Sequence, residues 1–184
     1  MTALPPELTG TWTIDPEHST VGFAVRHAMV ATVRGHFTSF TGGGVIDAAN
    51  PETASAWVDI DATSISTGNE QRDQHLRSVD FFRAEEHPTI RFRSTGLELD
   101  GDGAILTGDL TIGGVTHPLD ITWEFGGIAK DPWGTVKAGF EGTTTVSRKD
   151  WGLEWNAPLE AGGVLVADKV KLVLEIEASR QEQA

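Results

Sequence analysis

Six histidines, at positions 18, 27, 36, 75, 87 and 117, open the question of metal chemistry, because neutral imidazole is the commonest protein ligand for zinc and copper. Their spacing does not specify a site. No His-x-x-x-His pair falls on an expected helix and no pair stands at i,i+2 on a strand, so only folding would gather a set such as His27, His36 and His75. The chain has no cysteine, which removes thiolate metal sites, iron–sulfur clusters, a Cys nucleophile and disulfides together. The expectation is therefore no metal and no cofactor, with hydrogen-bonded or surface histidines.

Other chemistry-bearing motifs are incomplete. Asp100-Gly-Asp-Gly103 begins like a calcium loop, but Ala104 stands where a further oxygen ligand belongs and no glutamate closes the series, so it reads as a hairpin turn. Gly42-Gly43-Gly44 neither opens a helix nor carries the Lys-Ser/Thr of a phosphate loop. No Gly-x-Ser-x-Gly elbow is present. A glycosidase needs two carboxylates across a cleft floored by aromatic rings; the six tryptophans keep that reading open without specifying it. For a barrel enzyme acting on a lipid, an isomerase or hydrolase, His27 with Asp73 is the acid–base pair to nominate.

Fourteen Lys and Arg against 27 Asp and Glu give a net charge of −13, so nucleic acid and anionic membrane surfaces are repelled overall rather than attracted. The first residues lack the basic start and apolar run of a secretory signal, and no window approaches a membrane span. Read this way, the 184 residues form a single domain, 1–184, located in the cytoplasm.

The elements that must position these residues are strands. Period-two alternation puts Val21, Phe23, Val25 and His27 on one face, Leu119, Ile121, Trp123 and Phe125 on another, and Val170, Leu172, Leu174 and Ile176 on a third. Further strands are expected near residues 10–15, 34–47, 54–62, 89–99, 103–112 and 134–146, about eight or nine in all. Short polar turns between them favour antiparallel neighbours, and closure removes exposed edges, so the fold class is all-β: an antiparallel up-and-down barrel. One short helix near 69–78 interrupts it, read from Thr67-Gly-Asn-Glu70 as a capping box with Arg72/Leu76 and Asp73/Arg77 pairs, and anchored by Val79, Phe81 and Phe82. Trp151 and Trp155 read as a flap packed against the barrel mouth.

Inward candidates Val21, Phe23, Val25, Ile90, Phe92, Leu110, Ile121, Trp123 and Phe140 supply an apolar wall, with His27, Arg72 and His75 as polar groups for a ligand's head. The pattern alone permits either an enclosed channel or a filled core. Arg72 and Asp73 likewise serve either as ion pairs fastening the helix or, in the case of Arg72, as a head-group donor.

Several separated stretches together resemble the YceI-like family of lipocalin-like, polyisoprenoid-binding proteins. They are Trp12 to His27, Val33 to Phe37, Ser64 to Leu76 continuing through Phe81-Phe82, Pro88 to Ser94, Gly108 to Pro118, and Ser147 to Leu153. The resemblance spans residues 10–178. It implies a lipocalin-like barrel whose channel holds a polyisoprenoid, an isoprenoid quinone or a fatty acid or amide, with no catalytic reaction. The implied partner is an isoprenoid or other lipid-like small molecule, without nucleic acid or a membrane span, and a homodimer is left open.

Overall fold

The computed structural model describes residues 3–160 and 162–182. The ends of the expected 1–184 span, Met1, Thr2, Gln183 and Ala184, lie outside the described residues, as does Ala161. Eleven strand segments form one antiparallel sheet: β1 Gly10–Ile14, β2 Thr20–His27, β3 Ala31–Phe37, β4 Phe40–Ile46, β5 Ser55–Asp61, β6 Ile65–Ser66, β7 Thr89–Asp100, β8 Gly103–Ile112, β9 Val115–Lys130, β10 Val136–Ser147 and β11 Val166–Arg180. One helix, α1, spans Glu70–Arg77.

Eleven segments make eight staves, because the first three staves are each broken in the middle. β11 pairs with β2 through Val166 to Glu175 and with β1 through Ala178 to Arg180, so β1 and β2 are two halves of one stave closing the ring against β11. β3 pairs with β2 and β6, whereas β4 pairs with β1 and β5. The remaining five follow as a meander from β7 to β11. The single strand expected over 34–47 is thus two, bent at Thr38 and Ser39. Its inward side chains change phase there, from Gly35 and Phe37 to Phe40 and Gly42: the Thr38 amide donates to the Ser64 carbonyl at 3.1 Å in the register of β3 with β6, and the Asp61 amide donates to the Ser39 carbonyl at 3.0 Å in the shifted register of β4 with β5.

Closing the ring needs curvature, and glycines supply it. Between β9 and β10 the register slips so that Phe125 faces Phe140 while Gly127 faces Gly139, leaving Gly126 as the extra residue of a bulge. On β8, Gly108 lies under the Phe92 ring; a Cβ there would meet the ring at 2.4 Å and the Arg93 carbonyl at 2.7 Å. Gly108→Val is therefore expected to overpack the wall. Stability should fall by about 1–3 kcal/mol, read as a melting-temperature drop of roughly 2–12 °C.

One end of the barrel is closed by α1 and the segments after it. Asn69 caps the helix, its side-chain oxygen accepting from the Arg72 amide at 2.9 Å, so the expected Thr67 cap is displaced by two residues. Thr67 instead donates from its hydroxyl, at 2.5 Å, and its amide to Asp73, which is buried. The expected Asp73–Arg77 pair is accordingly absent: Arg77 bonds Glu70 and the Ile65 carbonyl. Phe81 is buried in the main core and Phe82 packs against it, but Val79 is 72% exposed and anchors nothing. Trp151 is buried and donates to the Leu110 carbonyl at 2.9 Å, while Trp155 packs edge-on against His75, which places both tryptophans over the barrel end as the flap reading expects. Leu8, Trp12, Ala138 and Ala178 form a second cluster at the opposite end, beneath the short 3-10 turn Pro6–Leu8. Among the described residues no helix is long and apolar enough to cross a membrane.

Candidate functional site

The alternation that builds each stave turns one row of side chains inward, and those rows do not fill the space they enclose. A cavity of about 340 Å³ runs through the barrel, from Leu8 and Trp12 at one end to Phe81, Trp151 and Leu153 at the other. A single water needs roughly 10–15 Å³ on the same measure, so this is far beyond a packing defect and inside the range of ligand sites. Its surface is almost wholly apolar. Wall residues on β11 run from Val166 to Ala178. At about 3.3 Å per residue and a stave tilt near 40° they cover roughly 30 Å along the axis.

All nine apolar candidates lie on this wall: Val21, Phe23 and Val25 on β2, Ile90 and Phe92 on β7, Leu110 on β8, Ile121 and Trp123 on β9, and Phe140 on β10. Phe23 meets Phe37 with ring centroids 6.2 Å apart and lies over Gly35. The Trp123 ring covers Gly142, and its indole nitrogen is buried without an acceptor.

The three polar candidates are placed elsewhere. Arg72 donates from Nε to the Thr67 hydroxyl at 2.7 Å and from Nη2 to the Thr67 carbonyl at 2.8 Å. His75 shares a hydrogen bond with Asp80 at 2.8 Å and stacks edge-on to Phe81 and Trp155. His27, partly buried, ends β2 beside the hairpin. None of the three contributes to the cavity wall. Asp73 is occupied by Thr67, so the nominated His27–Asp73 pair is not formed.

Sequence reasoning missed Arg148, the one buried charge on the wall. Its Nε donates to the Ala167 carbonyl at 3.1 Å, its Nη1 to the Leu153 carbonyl, and its Nη2 lies 3.6 Å from Asp168 without a hydrogen-bond acceptor. Burial pulls its pKa below the ordinary arginine value. The signal was present in the alternation: Ala138, Phe140, Val146 and Arg148 share one phase of β10 and its extension.

Histidines 27, 36 and 75 are not gathered, and the one cluster among the described residues with metal-ligating atoms close together is Asp15, His18 and Glu177, outside the barrel. Lys137 occupies it, its ammonium 2.7 Å from Asp15 and 3.2 Å from Glu177. That lysine, followed by His18, holds the Asp15 carboxyl at a pKa of about 2, and Asp15 raises both Lys137 and His18 in return. The group bolts the break between β1 and β2 to β10 and β11. Its carboxylate contribution is complete above the ordinary aspartate value near 3.8 and disappears as pH falls through about 2. The His18 part is complete below 6.5 and disappears as pH rises through its raised folded value. In Lys137→Met, Asp15 should titrate closer to 3.8, followed by carboxyl-carbon NMR.

The chain has known relatives, and its fold has solved counterparts. A UPF0312 protein of Ectopseudomonas mendocina (strain ymp) is 40% identical over 166 residues, covering 90% of this chain and 84% of that protein. BcnA of Burkholderia cenocepacia superposes with a TM-score of 0.78 at 21% identity, over 89% of this chain and 98% of that one, and so shares the fold. A domain from Saccharophagus degradans, described as a polyisoprenoid binding domain implicated in plant cell wall breakdown, superposes with a TM-score of 0.68 at 15% identity, over 92% and 98%. The pattern of the YceI-like domain matches residues 12–178, all eight staves apart from the outermost residues of the first and last, and the chain belongs to that family.

Proposed function

We propose that this protein is a non-catalytic binding or carrier protein that holds a long apolar chain, a polyisoprenoid, an isoprenoid quinone or a fatty acid or amide, inside the barrel. The observation that carries this reading is the elongated 340 Å³ cavity with its almost wholly apolar wall. The description of the Saccharophagus degradans domain supports the class of ligand. The nine wall residues from Val21 to Phe140 would contact the chain. Each buried methylene contributes about 0.8 kcal/mol, so ten supply about 8 kcal/mol against the cost of ordering the chain. Such a wall selects by length and width.

In this reading residues 1–184 act as one unit, no metal or cofactor takes part, and chelation leaves the melting temperature unchanged. Arg72 and His75 hold the closing helix, so Arg72→Ala should weaken a prenyl alcohol and its diphosphate alike. The test of the function is mass spectrometry of an organic extract of protein purified from several hosts. An apolar chain compound is expected. Homogeneously empty protein that takes up neither prenyl nor fatty chains at micromolar concentration would refute the carrier.

A further inference from the structure

The hairpin between β2 and β3 carries an apolar tip on a strained backbone. Ala28 and Met29 both have positive φ, 48° and 63°, and the Val30 amide closes the turn on the His27 carbonyl at 3.1 Å. Turns with two left-handed central residues are ordinarily built from Asn-Gly or Asp-Gly; non-glycine residues held there cost energy and cluster at functional places. Here one of the two positions, Met29, and its neighbour Val30 present apolar side chains to solvent. Met29 is 65% and Val30 79% exposed, and Val164, on the loop that meets Met29 at Gly163, is 44% exposed.

The barrel face behind this tip is basic, in a chain whose net charge is −13. Arg26, Arg34, Lys169 and Lys171 are exposed on β2, β3 and β11, and Lys171, Ala24 and Arg34 stand in one row across the three strands. Arg26 bonds the Met29 carbonyl and the Thr32 hydroxyl, and none of the four meets a carboxylate in an ion pair among the described residues. Nearby Asp168 is neutralised by Lys149 at 3.0 Å and Arg148; exposed Glu154 and Glu160 are the opposing charges on the neighbouring loop, and Glu175 lies four residues beyond Lys171 on the same side of β11. At physiological ionic strength charges act over about 8 Å, so at contact this face is felt and the acidic remainder of the barrel is not.

We propose that the β2–β3 tip with its basic flank docks the protein on an anionic lipid bilayer. Met29, Val30 and Val164 enter the interface, while Arg26, Lys169, Arg34 and Lys171, within about 17 Å of the tip at roughly 3.4 Å per residue, meet the headgroups. A soluble polyanion would use the cations but gives the exposed apolar tip no role. The docking stands on the surface alone; its use, loading the barrel from a membrane, rests on the carrier reading.

Flotation with phosphatidylcholine vesicles, with and without about one third phosphatidylglycerol, tests it at physiological ionic strength. The anionic vesicles should bind the full chain at least tenfold better than the neutral ones. Both Met29→Asp with Val30→Asp and Arg34→Glu with Lys171→Glu should lose tenfold or more. Trp133→Ser, which removes an exposed apolar residue from the far end of the barrel, should bind as wild type. Phe23→Arg should also dock normally, because it alters the cavity and not the tip, which separates failure of docking from failure of the carrier. Equal binding to both vesicles, insensitivity to either double variant, or retention on heparin without retention on vesicles would overturn the proposal.

Discussion

Phe23→Arg leaves a folded barrel that has lost its ligand: affinity for a prenyl or fatty chain should fall by about 100-fold or more, roughly 2.7 kcal/mol. Phe23 sits mid-strand on the cavity wall against Phe37, with open space in front of it. A guanidinium placed there takes its water with it into a space of about 340 Å³, at the expense of an apolar chain. In a filled interior the same substitution would bury an unpaired charge and unfold the protein. Isothermal titration with circular dichroism on one sample separates the two outcomes. Val25→Trp fills the same wall without a charge and should weaken binding while the melting temperature holds.

Arg148→Met should lower stability by about 2–4 kcal/mol: two hydrogen bonds from a buried cation, each worth roughly 1.5–3 kcal/mol, are lost and the carbonyls of Ala167 and Leu153 are left without donors, offset in part because the desolvation cost of the buried charge is removed as well. For a chain of this size that is a melting-temperature drop of about 4–16 °C. The ion pair with Asp168 is the lesser part, since that carboxylate is 45% exposed and keeps Lys149. Asp168→Asn should therefore change stability by less than about 1 kcal/mol. Denaturant unfolding of both variants checks the order; equal losses would move the anchoring role to the ion pair.

Where alternation is uninterrupted, as from Leu119 to Phe125 on β9 and from Val170 to Ala178 on β11, the sequence names the inward residues without help, and Ile121, Trp123, Leu172 and Leu174 all face the cavity. The broken staves were harder. Their halves pair with different segments on at least one side, β1 with β4 and β2 with β3 although both meet β11, and the local trace is a one-residue change of phase, such as that between Phe37 and Phe40. His27 continues the apolar phase of β2 but stands at the strand's end, opposite Val166 at the rim of the cavity, and does not line it. In the helix segment Thr67 and Asn69 are both competent caps, and the choice is made by Asp73, whose burial requires the Thr67 hydroxyl and amide. Whether the interior is hollow depends on summed side-chain volumes against stave number, which periodicity does not encode.

The most direct test of the carrier account is the crystal structure of protein purified without delipidation. Continuous, elongated density is expected through the barrel, in contact with Phe23, Ile121 and Trp123 and without a covalent or metal link to the chain. Discrete waters along the cavity, or wall side chains collapsed into it, would rule out a carrier.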